Sequence, residues 1–205
     1  GHVMFMHNDE IDVRFAEFSE LGRTDKSISA LNAHEFSSIA SDSNVKGRYS
    51  FHLHKTGIGD VADPAVAEGN AVFGSPGWGF VHHDSHAILN SNATYNTFGA
   101  GYVAESGNET GAWANNIAIF AKGINWSLAK NQSDGVNFDT ARGGDGFFFQ
   151  GRMIKAVDNV AASVNHGFTY YHRGRYQDLD AKLDGQIRFD PALFDLPEAL
   201  GSGPI

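Results

Sequence analysis

Hydrophobic and polar positions along this chain alternate over short runs instead of recurring every three or four residues, which predicts short strands and no amphipathic helix. The alternation starts at once, in Val3-Met4-Phe5-Met6-His7, so the sequence is expected to begin inside a folded structure, as an excised piece of something larger. Through the middle of the chain the strands fall into a repeat. Asn70, Asn92, Asn116, Asn137 and Asn159 stand 22, 24, 21 and 22 residues apart, and Phe80, Tyr102, Trp126, Phe147 and Phe168 follow them by nine or ten. A glycine commonly precedes the aromatic, as in Gly79-Phe80, Gly101-Tyr102, Gly146-Phe147 and Gly167-Phe168.

Such a unit, punctuated as strand, turn, strand and lacking a helix, suits one coil of a parallel β-helix; the expected fold is all-β, with coils of about 22 residues. A β-sandwich is the competing architecture, but its strands recur at roughly 8–12 residues. Stacked coils lie about 4.8 Å apart, so equivalent residues form columns. The aromatic column is expected to fill the interior. The repeated Asn is expected to occupy a left-handed turn position and to bond its amide to the next coil. Extending the register backwards places Phe51 on the aromatic column and Met4 one coil earlier. The β-helix is expected over residues 1–173, with a loop rich in Ser, Asn and Asp inserted at about 24–46, and a C-terminal cap and tail over 174–205.

Alternation sends His52 and His54 outward when Phe51 and Leu53 point inward. Counting three places on from each aromatic gives His54, His83 and Glu105 on successive coils, then Ala129, Gln150 and Tyr171, and Met4 in register adds His7. His7, His54, His83 and Glu105 are therefore the candidate metal ligands, on a strip roughly 15 Å long. Imidazoles with one carboxylate suit zinc or another first-row divalent ion better than calcium. The same His54, His83 and Glu105 are alternatively a proton-transfer set. His52, His82, Asp84 and His86 thicken the cluster, with His82 expected to point inward as a satisfied core residue.

The charge is −9, from 15 Lys and Arg against 24 Asp and Glu, which argues against a nucleic-acid partner. No Cys is present, so disulfides, thiol nucleophiles and Cys-based zinc sites are excluded. The sequence has no apolar run long enough to span a membrane and no nucleotide-binding or serine-hydrolase motif. Gly143-Gly144-Asp145-Gly146 matches a fragment of a calcium-binding nonapeptide repeat, but a single copy reads as a turn. The glycosylation sequons at Asn92, Asn108, Asn125 and Asn131 are of a kind common by chance.

Three stretches carry a more specific signal: Gly47-Arg48-Tyr49-Ser50-Phe51-His52-Leu53-His54, the coil with Phe80-Val81-His82-His83, and Gly101-Tyr102-Val103-Ala104-Glu105-Ser106-Gly107. Together they resemble the β-helix region of the cell-surface hyaluronidase and cell-migration-inducing hyaluronan-binding protein family, and of fibrocystin-like proteins. The likeness covers roughly residues 1–125, is strongest at 47–54 and 95–123, and does not obviously reach the C-terminal third. Ser50 and Ser106 depart from the family pattern, which commonly has Pro and Asp there. The resemblance implies a bacterial relative with a right-handed, pectate-lyase-like parallel β-helix, in an extracellular or surface protein that acts on or holds a glycosaminoglycan-like polysaccharide. It marks Arg48, His52, His54, His83 and Glu105.

The expected function is binding and cleavage of a glycosaminoglycan- or uronate-like polysaccharide along the His/Glu face. Glu105, His83 and His54 are its catalytic candidates. Arg48, His52, Arg23 and Lys26 are its substrate-binding candidates, with Lys46 and Lys55 adding local positive charge. The competing reading is a non-catalytic stalk, adhesin or binding module. Flanking domains are expected, as is end-to-end self-association through open strand edges.

Overall fold

The computed structural model describes residues 1–8, 10–33, 37–57, 63–124, 140–151 and 153–170. These residues form short strands and no helix. The first face is built from β1 (Met4–Met6), β4 (Phe51–Gly57), β7 (Phe80–Asn90), β9 (Ala100–Ala104), β12 (Asp145–Phe149) and β15 (His166–Tyr170). The second consists of β2 (Asp12–Arg14), β5 (Ala65–Glu68), the end of β7, β10 (Thr110–Ala114) and β13 (Met153–Val157). The third consists of β3 (Glu17–Ser19), β6 (Ala71–Phe73), β8 (Ala93–Tyr95), β11 (Ile117–Ile119) and β14 (Val160–Ala162). Every named pairing is parallel, which excludes hairpins and a sandwich among the described residues.

Register makes the aromatic column real. Phe51 pairs with Phe80, Phe80 with Tyr102, Tyr102 with Phe147, and Phe147 with Phe168. Successive rings along it lie 4.7–5.2 Å apart, and the last three steps are near-parallel stacks. Leu53, His82, Ala104 and Phe149 share the inward side of this face, against Leu89 and Trp113 from the second face and Val72 and Ala118 from the third. The glycine before the aromatic has a steric cause. A Cβ on Gly79, Gly101 or Gly146 would stand 2.5–2.9 Å from the carbonyl oxygen of the equivalent glycine on the next coil.

Two details depart from the sequence expectation. Tyr102 pairs directly with Phe147, and Asn116 bonds directly to Asn159. Trp126, Asn137, Ala129, Tyr171 and the proposed cap at 174–205 lie outside the described residues. The left-handed position is not the ladder Asn but the residue before it: Gly69, Ser91, Asn115 and Asp158 have φ of 65°, 55°, 55° and 51°. The ladder Asn side chains turn inward instead. Asn70, Asn92 and Asn116 each donate from Nδ2 to the Oδ1 of the next Asn, at 3.2, 3.0 and 2.9 Å, and to a backbone carbonyl of the preceding coil.

The segment at 24–46 packs across the outer side of the first face. Asn44 ties it together, accepting from the Asp25 N–H and donating to the carbonyls of Asp25, Ile28 and Ser29. Buried Thr24 donates to the Val45 carbonyl and accepts from the Arg48 N–H. Among the described residues, no helix is long and apolar enough to cross a membrane.

Candidate functional site

The first face carries His52, His54 and His83 on its outer side, and Glu105 follows just past the end of β9. Strands β4 and β7 run in register to the His54 and His83 pair, after which the register shifts before Gly57 pairs with Ser85. Lys55 and Asp84 adopt left-handed backbone at that break, with φ of 54° and 46°. A bulge of this kind ends regular pairing and re-aims the side chains beside it. Here it turns His54 and His83 toward each other, with their Nδ1 atoms 3.0 Å apart. Glu105, one coil on, places Oε2 3.1 Å from His83 Nδ1 and 3.7 Å from His52 Nε2. Four donor atoms, His52 Nε2, His54 Nδ1, His83 Nδ1 and Glu105 Oε2, thus face one small volume.

Burial and hydrogen bonding define what that volume can hold. His52 is buried, and its Nδ1 lies 3.1 Å from the Gly47 carbonyl oxygen. Donation to that carbonyl fixes the tautomer and leaves a lone pair on Nε2. His52 Nε2 is buried without a hydrogen-bond partner, and buried Glu105 Oε2 meets the His83 and His52 imidazoles as an ion pair. A tetrahedral ion bound at 2.0–2.1 Å would set neighbouring donors roughly 3.3 Å apart. The observed spacing fits that requirement, and the three imidazoles present ligand atoms within 4.8 Å of one another. His83 Nε2 lies 3.4 Å from Asp84 Oδ2, an outer carboxylate of the kind that orients metal-bound imidazoles.

Without an ion the same groups form a charged pair. Burial opposes a charge on His83, but Glu105 and Asp84 outweigh it and push the imidazole up to about 10. Burial likewise opposes ionisation of Glu105, and the His83 charge overrides it, holding the carboxyl down near about 2. Burial lowers His52 to about 4 despite the nearby Glu105, and lowers His54 with His83 adding to the effect. The arrangement can therefore hold a divalent cation or a proton, and its rim is open: the side chains of Glu105, His83 and Asp84 are 15%, 18% and 26% exposed.

Counting three residues from the aromatics brings His54, His83 and Glu105 together as expected, with His52 joining them as a fourth donor. His7 does not join. Met4 pairs with His52, so Met6 stands beside His54, and His7 lies past the strand end, exposed, with φ of 52°. Lys26 is not available to a substrate on the surface. It is fully buried, with Nζ 3.6 Å from the Trp78 ring centroid and 5.5 Å from that of Tyr49, where the aromatic faces compensate its lost hydration. Arg23 is exposed and Arg48 half-buried, side by side along the edge of the 24–46 segment. His82 is buried inside the coil, with Nε2 2.7 Å from the Ser85 carbonyl oxygen and Nδ1 accepting from the Trp113 indole. Asn92 and Asn108 are buried, so neither sequon presents an accessible acceptor. Gly144 makes a turn, and Asp145 bonds to Thr169, as a structural turn requires.

Glu109 is the residue that sequence reasoning missed. Its fully buried carboxylate accepts from the Ser106 and Gly107 N–H groups at 2.6 and 2.8 Å, and from the Asp84 N–H at 3.3 Å. It therefore clamps the turns that follow His83 and Glu105 on neighbouring coils. Burial raises its pKa while the backbone donors pull the other way. No spacing rule marks it, because its partners are backbone groups. Glu109→Gln turns an amide N–H₂ against one of these donors and is expected to cost about 2–3 kcal/mol. A urea titration checks the loss, and weakened zinc affinity in still-folded protein would show that the clamp also sets the donor spacing.

The family model described as CEMIP beta-helix matches residues 25–187, reaching well past residue 125, where the likeness was expected to fade. No curated protein and no solved structure matches the chain. With that match spanning most of its length and parallel coils beneath it, the chain belongs to the CEMIP beta-helix family.

Proposed function

We propose that this chain is the β-helix of an extracellular, carbohydrate-active protein that binds a glycosaminoglycan- or uronate-like polysaccharide along its outer His/Glu face and cleaves it. The coils would be right-handed and about 22 residues long, as in pectate-lyase-like solenoids. Membership of a hyaluronan-related family supports the substrate class. The observation that carries the reading is the convergence of His52, His54, His83 and Glu105, with the buried His52 Nε2 lacking a hydrogen bond, at a rim open to solvent.

His52, His54, His83 and Glu105 would hold one zinc or similar first-row ion, which when bound would supply Lewis acidity beside a sugar oxygen or uronate carboxylate. Gly47 and Asp84 orient the imidazoles. Arg48 and Arg23 offer guanidinium forks to an anionic chain crossing the face. In the ion-free state the His83 and Glu105 pair is a proton donor and acceptor in contact, suited to glycosidic oxygen and ring protons.

The test is release of reducing ends or unsaturated uronate from hyaluronan, chondroitin, alginate and pectin by zinc-loaded protein. Cleavage is expected, with Glu105→Gln slowing it by about a hundredfold or more. No release from any of these glycans, under conditions where a known depolymerase works, sinks the enzyme reading. Glycan binding that persists without cleavage would assign the chain as a binding module.

A further inference from the structure

We propose that the cavity between the 24–46 segment and the residues leading into β4 is a preformed subsite for one acidic sugar unit, with its oxyanion held between Arg23 and Arg48. The cavity has a volume of about 200 Å³. Arg23, Arg48, Ser41 and Ser43 give it a polar lining, and Ile39 and Val45 an apolar one. That is the pattern a pyranose presents in return: a charged substituent, hydroxyls and an apolar ring face. The volume suits a single sugar and is small for an oligosaccharide.

Three observations point to an anion. First, the two arginines are fixed side by side by the backbone: the N–H groups of Arg23 and Thr24 both donate to the Arg48 carbonyl, at 2.6 and 3.1 Å. Buried Thr24 joins the same knot through Arg48 N–H and the Val45 carbonyl. Second, His2 stands close enough that, after burial, Arg48 and Arg23 are the main causes disfavouring its charge. Two guanidinium charges therefore gather at one place on a chain of net charge −9, close enough to hold His2 toward its neutral form. Third, among the described residues neither guanidinium has an ion-pair partner, although Arg14, elsewhere on the surface, has two. Gathering like charges without a counter-charge is unfavourable unless a ligand supplies it, and paired guanidinium forks match a carboxylate or sulfate bidentately.

The subsite adjoins the donor cluster. Gly47, next to Arg48, is the residue whose carbonyl meets His52 Nδ1. An acidic sugar seated at the arginines would thus place the neighbouring unit of its chain toward Glu105 and His83. Only the identification of the ligand as a sugar rests on the function proposed above; the anion site itself does not.

The experiment titrates the full chain with sodium glucuronate, a sulfated galactose and unsulfated glucose, by calorimetry or NMR. It is run on the wild type and on a His54→Ala/His83→Ala variant. Glucuronate or the sulfated sugar is expected to bind both proteins alike, which separates this site from the His/Glu reading, and glucose is expected not to bind. Whichever of the two acidic sugars binds tells carboxylate from sulfate. Arg48→Gln and Arg23→Gln should each weaken binding about tenfold, as should added salt. Ile39→Trp, which fills the cavity and leaves its charge intact, should also block it. Binding unaffected by the arginine substitutions and by Ile39→Trp, or no binding of either acidic sugar, overturns the proposal. Sugar binding with no depolymerase activity leaves the subsite standing and removes only the catalytic role.

Discussion

Zinc added to the metal-free protein is expected to bind at one ion per chain, and His54→Ala or His83→Ala to abolish that stoichiometric binding. The Nδ1 atoms of the two residues face each other at 3.0 Å, so either truncation removes a donor from the centre of the set. His52 Nε2 and Glu105 Oε2 cannot replace it, because both are already committed to the same volume. Changing only the groups that hydrogen-bond metal-bound histidines costs roughly 10–100-fold in affinity, and loss of a ligand costs more, so a drop beyond about a hundredfold is expected. Affinity should rise with pH, since imidazoles must shed their protons to ligate. His7→Ala is the internal control. The register displaces His7 from the column, so its removal should leave zinc affinity unchanged. Calorimetry gives the stoichiometry, and the absorption bands of the cobalt-substituted protein give the coordination. Unaltered zinc binding in both His54→Ala and His83→Ala would remove the site from this face.

The contrast between His54 and His7 shows what a repeat can and cannot reveal. From Phe51 through Phe80 to Tyr102, counting three residues on landed on the cluster: His54 and His83 on adjoining strands and Glu105 just past the end of β9. On the following coil the same count gives Gln150, whose amide bonds to Thr140 instead. At β1 the count failed by one place, because Met4 aligns with His52 and not with Phe51. A single-residue slip in a strand exchanges its faces, and no pattern in three residues fixes it. Tyr102 pairs directly with Phe147, a long step along the chain that a repeat of about 22 residues does not announce. Composition marked Lys26 as surface charge. Its burial between Trp78 and Tyr49 depends on how the 24–46 segment folds over the first face, a long-range contact with no local signature. The bulge at Lys55 and Asp84, which aims the imidazoles, is equally silent, since neither residue is one that favours a left-handed backbone as glycine does.

Asn92→Ala is expected to destabilise the fold by about 4–6 kcal/mol. Asn92 Oδ1 accepts from both the backbone N–H and the Nδ2 of Asn70, at 2.9 and 3.2 Å. Its Nδ2 donates to Asn116 Oδ1 and to the Ala67 carbonyl, at 3.0 and 2.9 Å. Alanine removes all four bonds at a position only 1% exposed, where water cannot enter to replace them. The Asn70 N–H is then left without its partner, at about 1–3 kcal/mol, and the remaining losses add roughly 1 kcal/mol each. The neighbouring corner residue provides the comparison. Asn115 has φ of 55° and spends its side chain on one bond to Asn90. Asn115→Gly gives up that bond but relieves the left-handed backbone, so its cost should stay within about 1 kcal/mol. Urea unfolding followed by circular dichroism measures both. If Asn92→Ala costs no more than Asn115→Gly, the amide ladder is not what fixes the coils in register. The alignment of His54, His83 and Glu105 would then have to come from the aromatic column alone, whose stacking permits slippage that a chain of directional amide bonds does not.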